Sequence, residues 1–278
     1  MSNSQRTLLG PEQVSEQVLA GSRLWSAVTV VAQTGSTNED LVAAARDGAA
    51  EGSVLVAEQQ TRGRGRLGRQ WVSEPAAALT FSVLLRPVAV PAAARGWLPL
   101  LAGVAVAAGI HRHTGLEVGL KWPNDVLGGM RAEPGPGAGR SAGKLAGILA
   151  EQAGNAIVVG TGLNVTGSPQ DLPSAATSLA ELGADADRAV LLAAILREFE
   201  HWYLRWISQA RPGNAIACGL RAEYLRWCTT IGRDVRVELP GGTALSGRAD
   251  DVDELGRLLV AGQGGAQAIS AGDVVHVR

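Results

Sequence analysis

Residues 53–71 read SVLVAEQQTRGRGRLGRQW, and the fold turns on how this stretch is understood. Its first half is a strand by its apolar, β-branched texture. Its second half packs four arginines and three glycines into residues 62–69, with no acidic residue between Glu58 and Glu74. Formally, Gly63-Arg64-Gly65-Arg66-Leu67-Gly68 is GxGxxG after a strand. A dinucleotide fold would also need a helix opening at the glycines and an acidic residue about twenty positions on. Instead Arg69-Gln70-Trp71 and Pro75 follow, and no Asp or Glu lies between Glu74 and Glu117. The Rossmann reading fails. What remains is a loop whose arginines carry the content, while its glycines let the backbone fold closely around a ligand.

That positive charge is local. The chain has a formal net charge of −1 and a pI near 6.4, which argues against a general nucleic-acid coat. With 278 residues, 46% hydrophobic and 18% charged, it can build one large domain with a sizeable core and one small domain. Cys218 and Cys228 have neither disulfide-framework nor metal spacing. His111, His113, His201 and His276 form no zinc pattern. The N-terminus is polar and lacks the apolar stretch of a signal peptide. The apolar run from Leu98 to Ile110 is too short to span a bilayer. A cytoplasmic protein with no membrane contact is expected.

Outward from the loop, strands are expected over 26–33, 53–60, 78–87 and 117–125, the last ending in a Trp-Pro-Asn-Asp turn. A helix over 35–48 has Ser36 and Glu39 as a capping box and Gly48 at its left-handed end. An apolar helix covers 98–113 with Pro99 in its first turn. Residues 128–143 are a Gly/Pro-rich loop. Strands 144–152 and 156–165 form a hairpin around Gly154-Asn155. Loop 168–179 precedes helices over 187–209 and about 214–228. From Ile231 short alternating runs and Gly-rich turns read as a small β-barrel of about five strands.

Taken singly, the other motifs are ambiguous. Gly143-Lys144-Leu145 is no P-loop, because Ala138 stands where the first glycine belongs and Leu145 replaces the metal-binding hydroxyl. Lys144 is then a strand-edge lysine or one that projects into a pocket. Lys121-Trp122-Pro123-Asn124-Asp125 brackets a site or is a bare turn. The two glycines of Gly160-Thr161-Gly162-Leu163-Asn164 imply a close approach of ligand or backbone. Ser36-Thr37-Asn38 is by itself a helix cap.

Combined, the segments STN, QTRGRGRLGRQW, LKWPNDVL, GKLAGILAE and GTGLNV, in that order over 34–165, resemble the biotin protein ligases. The terminal barrel is similar to theirs as well. The resemblance implies an α+β fold. Its mixed or antiparallel sheet with helices forms a catalytic domain like the class II synthetases over 1–228, and an SH3-like β-barrel occupies 229–278. It implies ATP-dependent biotinylation of a lysine on a biotin carrier domain through biotinyl-5′-AMP. Biotin, ATP and Mg²⁺ would be the small molecules, and a carboxylase carrier the protein partner. Lys144, Arg66, Lys121 and Asp125 would be catalytic, with Asp125 orienting Lys121 or assisting the incoming amine. Ser36, Thr37, Gln60, Gly63, Arg64, Arg66, Trp71, Lys144, Gly147 and Leu149 would hold biotin. Arg64, Arg66, Arg69, Lys121 and Asn164 would address the nucleotide, with Asn164 facing its metal.

The chain departs from some members. About 25 residues precede the first strand, too few for a winged helix-turn-helix, so no DNA repression is expected. The 128–143 link is long, and Leu67 at the variable position of GRGRxGR should matter little. A monomer or weak homodimer is expected. The alternatives are a lipoate–protein ligase, which lacks GRGRxGR, and a nucleic-acid-binding module, disfavoured by the near-neutral charge.

Overall fold

A computed structural model of the chain describes residues 7–277 apart from 130–141, 168–171, 174, 210, 212, 240 and 263. Most of the expected Gly/Pro-rich stretch therefore lies outside the described residues.

Helix α1 (Pro11–Leu19), which the sequence reading did not anticipate, precedes β1 (Ala27–Thr34), α2 (Thr37–Arg46) and β2 (Ser53–Gln60). Then come β3 (Ala78–Leu85), the apolar helix α3 (Trp97–Thr114), β4 (Gly119–Lys121), β5 (Asp125–Gly128), β6 (Gly143–Ala153) and β7 (Ala156–Asn164). These strands make one sheet in the order β1-β2-β3-β7-β6-β5-β4. Only β1 and β2 run parallel. Strands β3 and β7 are buried along their whole length, because the sheet is covered on both faces. Leu84 and Val158 pack under α2 with Leu41 and Ala45. Leu79, Phe81 and Val83 face the larger core of α3 and helix α4 (Arg188–Ile207). This alternation is the period of a strand between two helical layers.

Local chemistry fixes the element ends. Ser36 caps α2, its hydroxyl accepting from the Glu39 amide at 3.5 Å; Gly48 takes φ 91° just past its end. Asp187, which the sequence reading overlooked, caps α4 by accepting from the amides of Ala189 and Val190. The Gly154-Asn155 turn joins β6 to β7 as expected. The expected strand 117–125 is instead a hairpin: β4 ends at Lys121, and after the 122–124 turn Asp125 opens β5, paired with Lys121. The last helix, α5 (Leu220–Trp227), starts later than expected, after Gly219 at φ 83°.

The helical stretch 92–114 is long and apolar enough to cross a membrane, contrary to the reading of its shorter apolar run. It is apolar all round because it is a core helix. Gly109 lets it approach α4 so closely that a side chain there would lie 2.6 Å from Ile195 Cγ1.

The C-terminal strands β8 (Asp234–Glu238), β9 (Ala244–Val252), β10 (Leu258–Gly262), β11 (Gly265–Ile269) and β12 (Asp273–His276) form a second, antiparallel sheet ordered β11-β10-β9-β8-β12. It packs against the 122–124 turn: the Trp122 amide donates to Thr230 Oγ1 at 3.0 Å, and its indole N–H to the Gly256 carbonyl at 3.0 Å.

Candidate active site

The arginine loop leaves the carboxyl end of β2 and folds back on itself. Arg64 bridges Gln70, the Gly65 amide donates to the Arg69 carbonyl at 2.7 Å, and the Trp71 amide to the Gly63 carbonyl at 2.9 Å. The apex turns through Leu67 at φ 55° and Gly68 at φ 73°, so the variable leucine sits in a left-handed conformation that favours glycine. A side chain at Gly63 would strike Gln60 Nε2 at 2.7 Å. Gly63 is therefore a packing glycine between the loop's limbs, and it is not among the residues of the cavity wall.

The root of the loop is fixed by a buried ion pair. Glu58 and Arg188 are 5% and 6% exposed. Arg188 donates to both Glu58 oxygens, at 2.7 and 3.2 Å, and to the carbonyls of Ala78 and Thr7. The Leu9 amide donates to the same carboxylate, and the Glu58 carbonyl accepts from the Ala76 amide on the returning limb. Every charge is compensated by hydrogen bonds, which burial demands.

Beneath the loop lies a cavity of about 370 Å³. Its floor is β6 and β7, where Gly147 faces Gly162 across the strands. Nothing projects from those two glycines, so the Trp71 indole lies against them: a side chain at Gly162 would meet the indole Nε1 at 2.6 Å, and one at Gly147 would meet Trp71 Cζ3 at 3.4 Å and Lys144 Nζ at 3.2 Å. One wall is the first turn of α2. The Thr37 amide and hydroxyl both donate to Gln60 Oε1, at 2.7 and 3.0 Å. The Gln60 amide nitrogen is then the group left to face a ligand.

Four cations, Arg64, Arg66, Arg69 and Lys144, line this cavity against two carboxylates, Asp125 and Asp273. Lys144 Nζ lies 2.6 Å from Asp125, and Arg69 pairs with Asp273 of the C-terminal sheet. Arg64 is held by Glu151 at 2.9 Å and Glu39 at 3.3 Å. Arg66 has no carboxylate within ion-pair distance among the described residues. Its Nη1 donates to Asn124 Oδ1 at 3.1 Å and to the Gly272 carbonyl at 3.3 Å. Burial pulls its guanidinium below the ordinary value, while Asp273 and Asp125 push back. Arg66 is therefore a partly desolvated cation whose hydrogen bonds go to neutral oxygens, which leaves it open to a direct pairing with a further anion.

Ser36, Thr37, Gln60, Arg64, Arg66, Arg69, Trp71, Asp125, Lys144, Gly147, Leu149 and Asn164 are all brought to this cavity. Lys121 is not: it lies outside the wall, and its charge acts on His276 of the C-terminal sheet. The carboxylate expected to orient it, Asp125, is engaged by Lys144. Sequence reasoning missed Asn124 and Asp273 as wall residues. Asn124 lay inside a flagged motif, so that signal was available. Asp273 gave none, because it comes from the far end of the chain.

For a metal, no cluster of three His, Cys, Asp or Glu exists among the described residues. The Asn164 amide nitrogen donates to the carbonyls of Thr177 and Lys144, which leaves its oxygen as the ligand it has to give. Such a site fits magnesium arriving on a nucleotide's phosphates, where the ion keeps most of its waters, and not a dedicated protein cage.

Comparison with known proteins gives the same picture. Residues 30–167 match the biotin/lipoate A/B protein ligase family, and residues 230–277 the biotin protein ligase C-terminal domain. The chain is 44% identical to the biotin–[acetyl-CoA-carboxylase] ligase of Mycobacterium tuberculosis, over 98% of this chain and 97% of that protein. It is 32% identical to the bifunctional ligase/repressor BirA of Bacillus subtilis, over 88% of this chain and 71% of that protein. The biotin protein ligase from Aquifex aeolicus, solved in complex with biotin and ATP, superposes with a TM-score of 0.72 at 27% identity, covering 91% of this chain and 100% of that one. With a relative of this similarity spanning nearly its full length, the chain belongs to the biotin protein ligase family.

Proposed function

We propose that this chain activates biotin with ATP in the cavity beneath the arginine loop and passes it to a lysine of a carboxylase's biotin carrier domain, acting in the cytoplasm. In the first step a carboxylate oxygen of biotin attacks the α-phosphorus of ATP, and pyrophosphate leaves with the electrons of the broken P–O bond. In the second, the lysine amine attacks the acyl carbon of the mixed anhydride, AMP leaves, and the amine gives up a proton. The observation that carries this reading is the convergence of four cations over a glycine floor, with Arg66 left unneutralised. Two anions must meet in the first step, and cations fixed in advance remove the repulsion without reorganising at the moment of reaction.

In this reading Arg66 and Lys144 grip the biotin carboxylate and the anhydride, and Arg69 exchanges Asp273 for phosphate. Asp125, beside Lys144, takes the proton of the incoming amine. Ser36, Thr37 and Gln60 meet the ureido group, and Trp71 with Leu149 covers the apolar bicycle. Magnesium enters with the nucleotide and adds its charge beside Asn164. A second cavity, of about 450 Å³, shares Arg66 and Asn124 with the first and is flanked by Pro99, Leu100 and Pro123. It offers the aliphatic stem of a lysine a route to the anhydride. Beside it β6 runs on to Ala153, whereas β5 pairs with it only as far as Gly147. That open edge suits an extended segment of the carrier, or a second copy in a weak dimer.

The test is pyrophosphate exchange into ATP. Exchange should require biotin, ignore lipoate and octanoate, and fall about 10²–10³-fold in Lys144→Ala. Exchange driven equally by lipoate, or unchanged in Lys144→Ala, overturns the assignment.

A further inference from the structure

We propose that Glu39 and Glu151 are positioning residues that hold Arg64, and with it the arginine loop, shut over the cavity. The proposal rests on the reading above only for what lies under the loop. Neither glutamate lines the cavity. Both act through Arg64.

The contacts run unbroken from floor to lid. Ser82, fully buried in β3, places its hydroxyl 2.6 Å from Asn38 Oδ1. Asn38, also buried, donates from Nδ2 to the Leu149 carbonyl at 3.2 Å and to Glu151 Oε2 at 2.8 Å. The other oxygen of Glu151 receives Arg64 Nη2 at 2.9 Å. Arg64 Nη1 lies 3.3 Å from Glu39 Oε1, and the second oxygen of Glu39 lies 3.7 Å from Arg62. Helix α2, strand β6 and the outgoing limb of the loop are thereby tied together.

An exposed ion pair is usually worth little, because two long side chains must be ordered to make it. Here one partner is already ordered: the buried Asn38 amide fixes the Glu151 carboxylate before Arg64 arrives. Glycine fixes Asn38 in turn, since any side chain at Gly160 would collide with its amide. The two arginines deeper in GRGRLGR thus do different work. Arg66 meets only neutral oxygens and stays available to an anion. Arg64 has its charge matched by two carboxylates from two elements, which is the arrangement of a fastener.

The experiment uses the full-length protein and isosteric changes: Glu39→Gln, Glu151→Gln, both together, Arg64→Gln and the triple variant. Chymotrypsin cleavage after Leu67 reads loop opening without any substrate, and biotin dissociation reads retention. Each single glutamine should speed both about threefold, and the pair about tenfold, matching Arg64→Gln. The triple variant should equal the pair. Pyrophosphate exchange at saturating biotin should keep its kcat in Glu39→Gln, Glu151→Gln and the variant carrying both. Added salt should move the wild type toward the pair, since exposed charges are screened. Cleavage unchanged by the glutamines, or an Arg64→Gln effect that adds to theirs, overturns the latch. So does a fall in unfolding temperature that tracks cleavage, which would mean general loosening. If biotin-dependent exchange were absent altogether, the cleavage assay would still decide the latch, so the two readings fail separately.

Discussion

The arginine loop is charged at both its root and its crest, but the two regions handle charge in opposite ways. At the root, Glu58 and Arg188 are sealed from water and hydrogen-bonded to each other, to the Leu9 amide and to the carbonyls of Thr7 and Ala78. At the crest, Arg62, Arg64 and Arg69 meet their acids at the surface, with side chains 77%, 44% and 62% exposed. The root arrangement is rigid because leaving it incomplete is costly. The crest can exchange partners because water shares the cost. On the function proposed above, the loop holds one shape at its base and receives anions at its tip, and it needs both.

The comparison breaks hardest at the root. Arg188→Met should destabilise the protein by about 3–5 kcal/mol, because it strands the Glu58 carboxylate away from water. Urea denaturation should show a lower midpoint with an unchanged slope. The double variant Glu58→Gln, Arg188→Met should recover part of the loss, since it removes both charges. If the double variant is no better than the single, the damage comes from packing and not from the orphaned charge.

At the crest the effect should appear in rate and not in stability. Arg66→Gln removes a cation that has no carboxylate to strand. Its unfolding midpoint should stay near the wild-type value, while pyrophosphate exchange falls about 10²–10³-fold, or about 2.7–4 kcal/mol of barrier. A stability loss comparable to that of Arg188→Met would erase the distinction between the two regions.

What could be read in the sequence follows the same division. The loop, the Ser36 cap, the left-handed Gly48 and the Gly154-Asn155 turn are local chemistry, where a few neighbouring residues decide the outcome. The alternation of β8, buried only at Val235 and Val237, shows through because that strand has one wet face. Partnerships across the fold left no local trace. Asp125 takes Lys144 and not its strand neighbour Lys121, because β6 delivers Lys144 beside it. Asp273 meets Arg69 from the opposite end of the chain. Gly63 sits where two limbs of one loop touch, a closeness set by Trp71 and Gln60 that no local pattern announces.

The smallest expected effect lies at the seam between the 122–124 turn and the C-terminal sheet. Thr230 Oγ1 accepts from the Trp122 amide and lies 3.2 Å from His276 Nε2. Burial first, then the charges of Lys121 and Arg233, hold the His276 pKa down to about 4. Above pH ~6.5 the imidazole is neutral in both folded and unfolded chains, and its contribution to stability is complete. As the pH falls from ~6.5 to ~4 the unfolded chain gains a proton that the folded one refuses, so stability declines and then levels off. Because the ring is partly wet, the change should be held to about 1 kcal/mol. Unfolding measured at pH 7 and pH 5 should show this loss in the wild type and not in His276→Gln. An identical loss in both would show that His276 is not its source.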